Sequence, residues 1–140
     1  MKPRMHFLSA LILAVILYPT FEWKVLLIFV GGFLIDIDHY LWYAYKYKKL
    51  DLHDCYTHYA VDSYKNNFKD VRGDLLIFHT IEFLLMMVIL SFYTELALMF
   101  TVGLLLHYLL DLGWYYFIPK QFIANHSIMY WIVKNKFQKI

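Results

Sequence analysis

The stretch WKVLLIFVGGFLIDIDHYLW, residues 23–42, decides the fold. From Val25 to Ile35 it carries no charge, and then Asp36, Asp38 and His39 arrive within four positions. Roughly 20 predominantly apolar residues span a bilayer core as a helix. An ionisable side chain deep in such a helix costs about 2.5–3.5 kcal/mol or more, so it is expected to serve a function. The stretch therefore reads as a membrane helix with a chemical site at its far end.

Three further apolar runs flank it, at 6–20, 74–93 and 96–118. Pro19 is a plausible stop for the first. Lys2 and Arg4 before an apolar run also resemble a signal peptide, but no small-x-small cleavage site follows, so an uncleaved span is expected. The connections Tyr18–Trp23 and Tyr93–Glu95 are tight, whereas 44–73 is long and polar. The expected fold class is all-α: a single membrane domain over 1–140 with about four transmembrane helices, a loop at 44–73 and an interfacial C-terminal helix at 121–140. That loop has room for one short helix. The tail mixes Phe122, Ile123, Met129, Tyr130, Trp131, Ile132 and Val133 with lysines, which suits the headgroup region.

Composition agrees. The chain is 61% hydrophobic and 21% aromatic with a mean hydropathy of +0.50, outside the ordinary soluble range. A net charge of +2 with no basic stripe points away from nucleic acid. The lone cysteine, Cys55, excludes an intramolecular disulfide and reads as a free thiol. With four spans, twelve of the thirteen basic residues fall on the side of the termini and the long loop, leaving only Lys24 opposite. By the positive-inside rule that side is cytoplasmic, which predicts a multi-pass protein of the cell membrane with both termini inside.

The ionisable residues within the runs are His6; Asp36, Asp38 and His39; His79 and Glu82; His107 and Asp111. The first and third runs enter from the cytoplasmic side with these residues near their starts, and the second and fourth leave toward it with theirs near their ends. All are expected at one depth. Asp36 and His39, like His79 and Glu82, are three positions apart, and His107 and Asp111 are four apart, so each pair shares a helix face. Paired carboxylates and histidines facing inward are how helical bundles build two-metal sites. Asp36, Asp38, Glu82 and Asp111 bring up to four negative charges with no Lys or Arg in the same stretches, and two divalent cations neutralise them. Zinc is the favoured ion, with manganese and iron compatible with the same donors.

In order, His6, Gly31-Gly32 followed by Asp36-Ile37-Asp38-His39, a His79-centred motif opening a later run, and His107-x-x-x-Asp111 resemble the small prokaryotic membrane-bound metal-dependent hydrolases. These are distantly similar to zinc-dependent phospholipase C. The resemblance covers 6 to about 112. It implies metal-dependent hydrolysis of a phosphoester or other ester in a lipid-like substrate, membrane lipid being the surrounding partner. Asp36 and Asp38 would hold or bridge ions that activate water, with Arg72, and Arg4 as an alternative, holding substrate phosphate by a planar donor fork. The family commonly runs His-Arg-Gly almost directly into Thr-His-Ser, whereas here Val71-Arg72-Gly73 is separated from Phe78-His79-Thr80. The earlier family histidine has no counterpart, and His53, His58 and His126 are the candidates to replace it.

Three rival readings use the same residues: a metal or proton carrier, a di-iron oxidoreductase, and a non-catalytic homologue serving as assembly partner. A carrier needs polar residues at several depths, but the outer halves of the runs hold little beyond Ser9, Ser91 and Thr101. A di-iron oxidoreductase usually clusters histidines as His-x-x-x-His or His-x-x-His-His, a spacing absent here.

Overall fold

The computed structural model describes residues 3–66, 68–71, 73–117 and 127–137. Among them all regular structure is helical. Two compact units form: one from Met1–Ile35 and Phe83–Pro119, the other from Asp36–Glu82 and Lys120–Ile140.

The first unit starts with α1 (Pro3–Phe21), rich in Leu, Ile and Ala, which favour or tolerate helix. Glu22 then takes a left-handed φ of 52°, which ends the helix and turns the chain through a 3-10 turn, Glu22–Val25, into α2 (Leu26–Gly32). α2 returns along α1, so the tight connection expected near Tyr18–Trp23 is a helical hairpin. Its core is small on one side and bulky on the other: Ala10 and Ala14 of α1 meet Val25, Ile28 and Met99.

Met99 belongs to α7 (Glu95–Phe117), the longest helix described. Thr94, just before α7, caps it: its hydroxyl accepts the Ala97 N–H at 3.0 Å, a partner for an otherwise unpaired donor. α7 and α2 meet backbone to backbone. A Cβ on Gly31 would overlap the carbonyl oxygen of Phe100, and one on Gly103 would overlap that of Ile28 and lie 2.9 Å from Gly32 N. Glycine at these two positions is what allows the approach. Thr101 fastens α6 (Ile81–Ser91) to α7 by donating to Met87 O at 2.9 Å.

α6 is 11 residues long, about 16 Å at 1.5 Å per residue, roughly half a bilayer core. The third expected span, 74–93, is therefore only partly helical. Its first part has no helix at 74–76, a 3-10 turn at Ile77–His79, and Thr80 in extended geometry. Pro3–Tyr47, a helical run that includes the hairpin, and Glu95–Trp114 are long and apolar enough to cross a membrane by length and composition.

In the second unit, α3 (Ile37–Tyr47) stops where Lys48 turns left-handed, φ 56°, and donates its N–H to Ala44 O at 3.0 Å. The 44–73 segment contains more helix than one short piece: α4 (Leu52–Thr57), a π-helical turn at His58–Asp62, and α5 (Ser63–Lys65) run consecutively. Asp51 caps α4 by accepting the Asp54 N–H at 2.8 Å. Asp74, buried, accepts from Lys46 Nζ at 2.7 Å and from the Tyr59 hydroxyl at 3.0 Å, tying α3 to the π-helical turn. Burial first, and Asp74 second, push the Tyr59 phenol well above its usual range. α8 (Ile128–Phe137) is anchored by Trp131, which donates to Gly73 O at 2.9 Å and packs edge-on against Trp42.

Gly103→Ala forces a methyl group into backbone and should destabilise the protein by about 1–3 kcal/mol, read as a lower melting temperature in detergent. Cys55 is buried, and burial pushes its thiol up to about 11. At pH 8 the thiolate is then scarce, so alkylation by iodoacetamide should run at least about 100-fold slower than for an ordinary cysteine.

Candidate metal centres

In the first unit, the close approach of α2 and α7 at Gly31 and Gly103 sets the position of a histidine one turn further along α7. His107 is fully buried, and its Nδ1 lies 3.0 Å from Gly32 O. Gly32 is the last residue of α2, and the final carbonyls of a helix lack intrahelical partners. A carbonyl only accepts, so Nδ1 carries a proton, and Nε2 faces Asp111, whose Oδ2 is 3.4 Å away. A lone pair facing a carboxylate is repulsive unless a cation, a proton or a metal ion, lies between.

His6, from the first turns of α1, completes this group. Its ring stacks on that of His107 with centroids 3.9 Å apart and 14° between planes, and its Nε2 is 3.2 Å from Asp111 Oδ1. Its Nδ1 is buried with no hydrogen-bond partner among the described residues, an arrangement that costs about 1–3 kcal/mol. Charge-assisted N–H···O bonds are usually about 2.7–2.9 Å long. Two ligand atoms each about 2.0–2.2 Å from one tetrahedral ion lie about 3.4 Å apart. The 3.2 Å separation is at the long end of an N–H···O hydrogen bond, and 3.4 Å equals the spacing of two ligand atoms on one ion. The donors of His6, His107 and Asp111 all lie within 4.8 Å of one another, so the residues fit a divalent ion.

The second unit repeats the arrangement with different parts. Asp38, at the start of α3, is buried; its Oδ2 accepts the Phe78 N–H at 3.1 Å and faces His79 Nδ1 at 3.0 Å. That contact suits a hydrogen bond, which leaves His79 Nε2 toward Asp36 Oδ1 at 3.5 Å. His39 Nδ1 is 3.1 Å from Asp38 Oδ1 and 3.5 Å from Asp36 Oδ1. Asp38, His39 and His79 also bring donors within 4.8 Å of one another. The Tyr59 ring stands edge-on to His39 at 5.0 Å, limiting how that imidazole turns.

Seven of the eight expected ligands belong to such groups: His6, His107 and Asp111 of the first unit, and Asp36, Asp38, His39 and His79 of the second. Glu82 is placed elsewhere. Its carboxylate accepts from Ser127 Oγ at 2.6 Å, Ile128 N at 3.1 Å and Met129 N at 3.2 Å, holding the start of α8. A carboxylate at a helix N-terminus is favoured by the unpaired N–H groups there. Arg72 and His126 lie outside the described residues. Arg4 and His53 are exposed. His58 is ringed by Tyr43, Tyr47 and Tyr59, with Nε2 3.3 Å from the Tyr47 hydroxyl.

Two orienting groups escaped the sequence, Gly32 O and Phe78 N–H, because both are main chain and have no residue-type signature. Tyr59 is a third; among so many tyrosines only the fold singles it out. No known protein family, curated protein or solved structure matches the chain.

Asp38→Asn keeps one acceptor oxygen but removes the charge that orients His79. Zinc affinity should fall by about 10–100-fold, the effect usual for a partner that orients a ligand, measured by competition with a chromophoric chelator.

Proposed function

We propose that the chain is a membrane-embedded metal-dependent hydrolase that holds one divalent ion in each cluster, zinc being favoured. The observation that carries the reading is the pair of imidazoles whose Nδ1 positions are fixed from behind, His107 by Gly32 O and His79 by Asp38, with Nε2 aimed at a carboxylate. Back-bonding of the non-ligating nitrogen is the usual way a metal-binding histidine is held. Bound ions supply Lewis acidity, which activates water and polarises a phosphoester or carboxylic ester.

The protein's own groups do the rest. Asp36 and His39, each 28% exposed at the side chain, are open enough to meet water and substrate. Asp38 keeps His79 in one tautomer, and Asp36 is the carboxylate placed to take a proton from an incoming water. Arg72 is assigned, on sequence grounds, to substrate phosphate.

A bilayer as surroundings is supported by where apolar side chains point. Ile12, Val15 and Ile16 of α1, Leu85 and Ile89 of α6, and Leu109 and Leu112 of α7 are all more than half exposed. Apolar surface repeated along helices is stable against lipid rather than water. The proposed setting is the cell membrane, crossed more than once with both termini cytoplasmic, and the proposed substrate is itself amphiphilic.

Metal analysis of the detergent-purified protein should find about two zinc ions per chain, and Asp36→Ala should abolish hydrolysis of a phosphodiester or phospholipid panel while leaving helicity unchanged. Metal uptake without turnover of any ester in the panel would favour a non-catalytic metal protein instead. Absence of bound metal after zinc incubation would refute the assignment.

A further inference from the structure

His39 is the more exposed imidazole of the second unit's group: its side chain is 28% exposed, against 8% for His79. Its Nδ1 lies 3.1 Å from Asp38 Oδ1 and 3.5 Å from Asp36 Oδ1, contacts that a freely turning imidazole would lose. Two rings stand across it, His79 at 5.1 Å and Tyr59 at 5.0 Å, both nearly perpendicular to it. His79 is held by Asp38, so the hold on Tyr59 decides how far His39 can turn. Tyr59 sits in the π-helical turn His58–Asp62, a rare form that recurs at functional sites. Ser63, buried, fastens that turn by donating both its backbone N–H and, at 2.6 Å, its hydroxyl to His58 O. At the far end of the ring the phenol donates to Asp74 Oδ2 at 3.0 Å. The other oxygen of Asp74 accepts from Lys46 Nζ at 2.7 Å, and Lys46 also donates to Asp70 O at 2.7 Å. Tyr59 is thus clamped at its backbone and at its hydroxyl.

We infer that this clamp is a positioning device for His39: Ser63, Asp74 and Lys46 act through Tyr59 to keep the His39 imidazole on Asp36 and Asp38. This deepens the metal-site reading above, on which its functional meaning rests. An imidazole already held in one orientation gives up less rotational freedom when an ion binds, so affinity rises without an added donor. The π-helical turn and the Lys46–Asp74 pair, remote from one another in sequence, then serve one ring.

Wild type, Tyr59→Phe, Tyr59→Leu, Ser63→Ala and Cys55→Ala are stripped with EDTA in detergent and compared in two ways. Zinc affinity is read by chelator competition, and the His39 ring by NMR of protein carrying isotope-labelled histidine, its signal assigned with His39→Gln. Tyr59→Phe, which keeps the ring and removes its tie to Asp74, and Ser63→Ala should each bind zinc about 10-fold more weakly, and Tyr59→Leu about 100-fold. Without zinc, the His39 signal should be single in the wild type and broadened or split in these three variants. Cys55→Ala, which removes a buried thiol one turn before Tyr59, should lower the melting temperature and leave both readouts as in the wild type. Wild-type affinity or an unchanged His39 signal in Tyr59→Leu overturns the inference, and so does an affinity loss in Cys55→Ala equal to that in Tyr59→Phe. A wild type that takes up no zinc refutes the metal reading, while the zinc-free His39 signal still decides the clamp. Should Tyr59→Leu not fold, Tyr59→Phe and Ser63→Ala decide by the same criteria.

Discussion

Backbone contact between α2 and α7 is the constraint on which the first unit depends. Two helices that approach this closely must give up side chains at the crossing, and Gly31 and Gly103 do so. Small residues at a helix crossing let the backbones pack closely and gain dispersion contact along the seam. The close approach then has a chemical effect. It brings the terminal carbonyl of α2 within hydrogen-bonding reach of His107, one turn past Gly103, and so fixes which nitrogen of the imidazole faces Asp111. Packing and ligand orientation are here one event.

The second unit reaches a similar arrangement without glycine. Asp38 is held by a backbone N–H and shared between two imidazoles, and the surrounding Lys46, Asp74 and Tyr59 form a separate polar network that stiffens the walls. Buried polar groups of this kind are stable only when each finds a partner. The Asp74 carboxylate meets that condition by accepting a charged and a neutral donor at once.

Much of this was legible in the letters. The helical class, the hairpin near Glu22 and the pairing of His107 with Asp111 follow from hydropathy and from the three- and four-residue spacing of helix neighbours. Spacing failed for His79 and Glu82, because the segment between them is not one helix: Thr80 is extended, and the two side chains diverge. It also could not foresee that Glu82 would cap α8, since a carboxylate three residues from a histidine looks the same whether it meets an ion or three backbone and hydroxyl donors. Division of the ligands between two units is likewise invisible in a one-dimensional pattern, which records depth along a helix but not which neighbour lies across from it.

The glycine crossing has a further consequence for how this chain can vary. Side chains on the outer faces of α1 and α7 touch little protein, and Leu, Ile, Val and Phe are nearly equivalent there. Gly31 and Gly103, by contrast, admit no larger residue without moving the two backbones apart. A lineage built this way is free to exchange most of its alphabet, holding on to a sparse set of letters at fixed intervals. Its kinship would then be written in spacing more than in identity.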